Sequence, residues 1–173
     1  MKQLITILVL LQLSFSAWCQ KADLTTNEFL VAGEINKELK ITLADIEKYP
    51  AKIIGDVIIT NHLGEPRGTA KQLSGILLKE LLKDIELKAE SPKKYSEFYL
   101  TFVAIDNYKV VYSWNEIFNS PTGDNLFLIT ARDGKKIREM EERILILTPT
   151  DFKTGRRHIK GLSKIVVNRT DQR

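Results

Sequence analysis

The chain has 173 residues, with 26 Lys and Arg against 22 Asp and Glu, and its formal net charge is +4. That length suits one domain, and a hydrophobic content of 43% is enough to bury a core. The basic excess is too small to mark a nucleic-acid binder, two histidines exclude a multi-histidine zinc site, and one cysteine excludes a disulfide within the chain.

Lys2 forms a short positive start, and Leu4 to Leu13 is an apolar run broken only by Thr6 and Gln12. Ala17 and Cys19 are small and two apart, the pattern a signal peptidase accepts, which places a cut before Gln20. Residues 1–19 are therefore predicted to be a secretory signal peptide, too short to span a bilayer as a stable helix. Two alternatives stay open: a lipid anchor with Cys19 acylated, which bulky Trp18 disfavours, and an uncleaved anchor. The protein is expected to be exported, periplasmic or secreted. No transmembrane segment is expected in the mature chain. The leader holds one Lys and no acid, so +3 of the +4 belongs to the 154 residues that follow.

Residues 20–28 read as a polar lead-in, and residues 29–170 as one domain. Phe29 to Gly33 is a short apolar strand, followed by a turn over Glu34 to Glu38. Thr42 caps a short helix, with Asp45 as acidic partner three residues on and Pro50 as terminator. Ile53 to Thr60 is β-branched and reads as a buried strand. Asn61 to Gln72 contains two glycines and a proline and reads as a loop. Leu77 to Ile85 has apolar residues at helical spacing and is predicted to be an amphipathic helix.

The second half is strand-rich. Phe98 to Ile105 and Lys109 to Tyr112 flank a turn at Asp106-Asn107-Tyr108. Ser113 caps a short helix to Phe118. Tyr112, Trp114 and Phe118 read as core aromatics. Leu126 to Thr130, Arg143 to Leu147 and Leu162 to Asn168 are further strands. Asp133-Gly134 is a turn, and the charged run from Lys135 to Arg143 is a solvated hairpin tip. Helices and strands do not alternate regularly, so the fold class is α+β with a mixed, largely antiparallel sheet.

Two polar segments could carry a site. Asn61, His62, Glu65, Arg67 and Lys71 lie in the predicted loop after the Ile53–Thr60 strand, and loops on rigid scaffolds often hold ligands. Lys153, Arg156, Arg157 and His158 form the densest basic cluster, and guanidinium forks suit phosphate or carboxylate oxygens. Solvated connections are the competing reading of both. The candidate binding residues are therefore Asn61, His62, Arg67, Lys71, Lys153, Arg156, Arg157 and His158. No catalytic set and no metal ligand set is read from the sequence.

The order of these segments resembles the sulfite oxidase-type molybdopterin-binding domain. The Asp56–Thr60 strand, a polar loop and Leu73-Ser74-Gly75-Ile76-Leu77-Leu78-Lys79-Glu80-Leu81-Leu82 are similar to that family's strand, loop and helix. Asp106-Asn107-Tyr108 through Ser113, Leu126 through Gly134, Arg143 through Pro149 and Gly161 through Val167 resemble its later strands and turns. The likeness runs from about Phe29 to Asn168. It implies a sulfite oxidase-like fold, with a cysteine thiolate holding molybdenum beside a pyranopterin. The expected cysteine position is near Asn61-His62, and neither residue is a cysteine. It also implies that the loop holding Lys153, Arg156 and Arg157 faces the pterin phosphate.

The expectation is an exported binding or interaction domain without molybdenum catalysis. It would have no resident cofactor and would meet a small anionic ligand or a protein partner, not nucleic acid. The alternative is a molybdopterin-dependent oxidoreductase, or a subunit of one. A surface-associated assembly protein is a third class for which no residue speaks.

Overall fold

The computed structural model describes residues 25–170. The predicted signal peptide, and the lead-in up to residue 24, lie outside the described residues.

Strand β1 (Glu28–Gly33) pairs antiparallel with β2 (Leu39–Thr42), and the chain then enters the single-turn helix α1 (Leu43–Ile46). The start of α1 is set as its residues predict. Thr42 Oγ1 accepts the Asp45 backbone N–H, and the Asp45 carboxylate accepts the Thr42 N–H. β3 (Lys52–Thr60) and β4 (Pro66–Leu77) form a long hairpin, and α2 (Leu78–Leu82) follows directly. β5 (Phe98–Ala104) and β6 (Lys109–Ser113) form a second hairpin that runs into α3 (Trp114–Phe118), capped reciprocally by Ser113 and Glu116. β7 (Phe127–Arg132), β8 (Lys135–Lys136), β9 (Leu145–Leu147) and β10 (Leu162–Arg169) complete the order.

The strands form two sheets. One has the order β2-β1-β10-β5-β6. The other has β3-β4-β7-β8, with β9 also paired to β7. Every strand pair is antiparallel except β1 with β10, which run parallel from Leu30↔Lys164 to Gly33↔Val167. This agrees with the expected α+β, largely antiparallel class. β5 shows why the sheets form: Phe98, Leu100, Phe102 and Ala104 point inward at every second position. The three residues of β9 are all buried. One continuous apolar core joins both sheets, and it includes Tyr112, Trp114 and Ile117.

Three local expectations need correction. β3 is not a buried strand: Ile53 is 90% exposed and Ile58 58%, because β3 is an edge strand with one neighbour and its pairing with β4 is irregular. The loop predicted over Asn61 to Gln72 is only five residues long, since Pro66 onward pairs with β3. Gln72, at φ 52°, sits at a bulge where its N–H donates to Asp56 Oδ1. The predicted helix from Leu77 to Ile85 is one turn. After Leu82 the backbone leaves to meet the β1–β2 connection, where the Asn36 N–H donates to Glu86 O and Ile35 bridges Leu87.

Candidate functional site

The turn after β3 is organised by Asn61. Its Oδ1 accepts the backbone N–H groups of Leu63, Gly64 and Glu65 at 2.9–3.0 Å, and its amide donates to the Glu65 carboxylate at 2.8 Å. The segment Thr148–Gly161 packs onto this turn from far along the chain. Thr154, only 5% exposed, donates its hydroxyl to Ile58 O at 2.9 Å and accepts the Thr60 N–H at 3.0 Å. Gly155 lies so close to Thr60 that a Cβ there would stand 1.9 Å from the Thr60 carbonyl oxygen. Arg156 Nε donates to His62 O at 3.0 Å, and the Tyr108 hydroxyl donates to Arg156 O at 2.5 Å. The β3–β4 turn, the β5–β6 turn and the Thr154–Lys160 segment thus meet at one end of the fold.

Between them is a cleft of about 560 Å³, lined by Asn61, His62, Asp106, Tyr108, Arg156, His158 and Lys160 among others. It joins the two polar segments singled out in the sequence. Asn61, His62, Arg156 and His158 come together in it. Lys153 lies beside them, with its side chain next to Gly64. Arg67 and Lys71 do not line it. Arg67 is exposed on β4, and Lys71 meets the β7–β8 turn, where its N–H donates to Asp133 Oδ1. Arg157 turns inward instead. It forms a two-pronged ion pair with Asp151, reaches Glu116 at 3.2 Å and covers the Tyr112 ring, with Cζ 4.5 Å from the centroid. Tyr108, Asp106 and Lys160 complete the cleft. In the sequence the first two read only as a turn, because nothing local tells which distant segment a turn will face.

The charges in the cleft are uneven. Lys160 Nζ is bound to Glu142 Oε1 at 2.7 Å, and Arg132 approaches the same carboxylate at 3.5 Å. Glu142 is held as a carboxylate, below its ordinary pKa. Its burial works against that, and the bond from Lys160 with the nearby cations outweighs it. His158 makes no hydrogen bond to another described group. Burial, with Lys160 and Arg132 close by, pushes it down to about 4, so the ring is neutral at pH 7. Arg156 is the exposed cation of the lining, and it has no carboxylate partner among the described residues. A second depression of about 490 Å³, between β2 and α2, mixes Lys37, Lys40 and Lys48 with Glu38, Asp84 and Glu86 and gathers no comparable set of loops.

The resemblance drawn from the sequence implies, for a molybdenum–thiolate centre, a cysteine sulfur at the end of β3. Asn61 stands there, its oxygen taken up by three backbone N–H groups, and the next residue is His62. The chain's single cysteine, Cys19, lies outside the described residues. Among the described residues no cluster of three or more His, Cys, Asp or Glu side chains is arranged to hold a metal ion. The donor set at this position does not fit a metal–thiolate centre.

No protein-family model matches the chain, and no curated protein matches it in sequence. Among solved structures, the sulfane dehydrogenase SoxCD from Paracoccus pantotrophus is similar, with a TM-score of 0.63 at 12% identity. The match covers 88% of this chain and 40% of that one, so the chain spans well under half the length of its structural neighbour. The two share a fold. Among the described residues no helix is long and apolar enough to cross a membrane.

Proposed function

We propose that this chain is an exported binding domain on a sulfite oxidase-like scaffold, and that its cleft takes a small anionic ligand without molybdenum chemistry. The shared fold with the sulfane dehydrogenase SoxCD supports the scaffold. The lack of a sulfur donor at the end of β3 supports a role other than molybdenum chemistry. The observation that carries the binding reading is Arg156. It lines the cleft, its Nε–H is fixed on His62 O, and its terminal N–H groups have no carboxylate partner among the described residues. A guanidinium held this way offers charge-assisted bonds to oxyanions. Asp106, on the β5–β6 turn, supplies an acceptor in the same cleft. A ligand with an anionic group and an O–H or N–H donor matches this lining better than a bare anion.

Calorimetric titration with glycerol phosphate and with inorganic phosphate tests the reading. Glycerol phosphate binds more tightly, Arg156→Ala removes the binding and Lys71→Ala leaves it unchanged. Equal binding by the Arg156→Ala variant, or no binding by the parent chain, overturns the assignment of the cleft.

A further inference from the structure

The end of the fold that holds the cleft has a property that ligand binding does not require. Four of the large apolar side chains left exposed among the described residues gather at this one end: Phe152 at 100%, Leu63 at 61%, Ile105 at 46% and Tyr108 at 41%. They lie on three separate turns joined by the contacts described above. Gly64, next to Leu63, abuts the Lys153 side chain, next to Phe152, and Tyr108 is bonded to Arg156. Leaving a phenylalanine wholly in water is unfavourable, and a group of such residues on one surface marks a contact face. Phe152 makes no core contact that would explain its presence.

The charges beside these side chains select the occupant. Arg67, Lys109, Lys153 and Arg156 are exposed on or next to the three turns, against Glu65 and Asp106. The end of the fold is therefore net positive. The apolar side chains project from three separate turns, and exposed cations are set among them. A fluid anionic interface accommodates them, because each side chain inserts independently while the cations meet the headgroups.

We infer that this end docks on an anionic lipid surface, with Phe152 and Leu63 inserting and Lys153 and Arg67 holding phosphate-bearing headgroups. Docking brings the cleft mouth to the bilayer. The inference does not depend on what the cleft binds, and its test uses residues outside the cleft lining.

The experiment is co-sedimentation of the chain as its host processes it, its N-terminus established by mass spectrometry. The vesicles are phosphatidylglycerol with phosphatidylcholine, and phosphatidylcholine alone. The parent binds the phosphatidylglycerol vesicles and is released by high salt. The double variant Phe152→Ser, Leu63→Ser binds at least roughly tenfold more weakly, the loss expected from withdrawing two apolar side chains from the interface. Lys153→Glu weakens binding to phosphatidylglycerol vesicles alone. Both apolar positions are exposed, so the variants keep the parent's circular dichroism spectrum and melting temperature. Absence of parental binding, or undiminished binding by the double variant, overturns the inference. A protein partner bound through Phe152 without vesicle binding also overturns it, in favour of a protein interface.

Discussion

Gly155 and Thr60 are packed backbone against backbone: a Cβ on Gly155 would lie 1.9 Å from the Thr60 carbonyl oxygen. Ninety-five residues separate the two in sequence, and Gly155 also lines the cleft. No side chain fits there unless one segment moves.

Gly155→Ala is therefore expected to lower stability by about 1–3 kcal/mol, the usual range for overpacking a tight junction. The displaced segment carries Arg156, so phosphate affinity should fall with it. Urea unfolding followed by tryptophan fluorescence reads the first effect and calorimetry the second. An alanine variant with parental stability would show that the two segments separate without cost.

The Arg157 side chain is 24% exposed and that of its partner Asp151 14%. Arg157→Ala leaves that carboxylate without its partner and uncovers the Tyr112 ring. A loss of about 2 kcal/mol is expected, short of the figure for a fully buried pair because some solvent reaches both groups. The Tyr112 phenol, which burial pushes up to about 12, should then titrate differently, because a cation that favours its ionised form has gone. Alkaline difference absorbance near the tyrosinate band, with a thermal melt, measures both. Asp151→Asn in the same background should cost less than it does alone if the two residues act as a pair.

His158 makes stability depend on pH in a defined window. Its folded-state pKa is lowered to about 4, whereas an unfolded histidine titrates near 6.5. Between those values the unfolded chain binds the proton and the folded chain does not, so stability falls as pH drops from about 6.5 to about 4. Above that window the contribution is fully present. The expected loss is on the order of 2 kcal/mol, and it is expected to disappear in His158→Asn. Comparing the two proteins' unfolding free energies at several pH values cancels the carboxylates that titrate over the same range. Parallel curves would remove His158 from the account.

Where the sequence was legible, the deciding residues are neighbours. Thr42 with Asp45, and Ser113 with Glu116, are each three apart and form the caps that start α1 and α3. The alternation of Phe98, Leu100 and Phe102 marks β5 in the same way. Pro66, Gly68 and the polar residues around them suggest a loop, and only their pairing with Ile58, Ile59 and Thr60 makes them strand. β3 looks like core because its residues are β-branched, but its exposure follows from its place at a sheet edge, a property of the whole topology. In the site, two polar segments were recognisable as such. That Arg156 reaches His62 and Arg157 turns toward Asp151, although the two arginines are adjacent, depends on the segment's conformation from Thr154 to Arg157. The role of Tyr108 was hidden because its partner lies 48 residues away.

The parallel pairing of β1 with β10 has a consequence for the order in which the molecule can be built. β10 lies between β1 and β5, so the last of the described strands occupies the middle of its sheet. During synthesis the β1–β2 and β5–β6 hairpins emerge first and have nothing to join them. The sheet closes only when residues 162–169 have appeared, and most of the pairing that holds it is then formed between distant stretches. The sheet thus remains open until β10 arrives, and a deletion that removes this strand would split the sheet at its centre instead of trimming its edge.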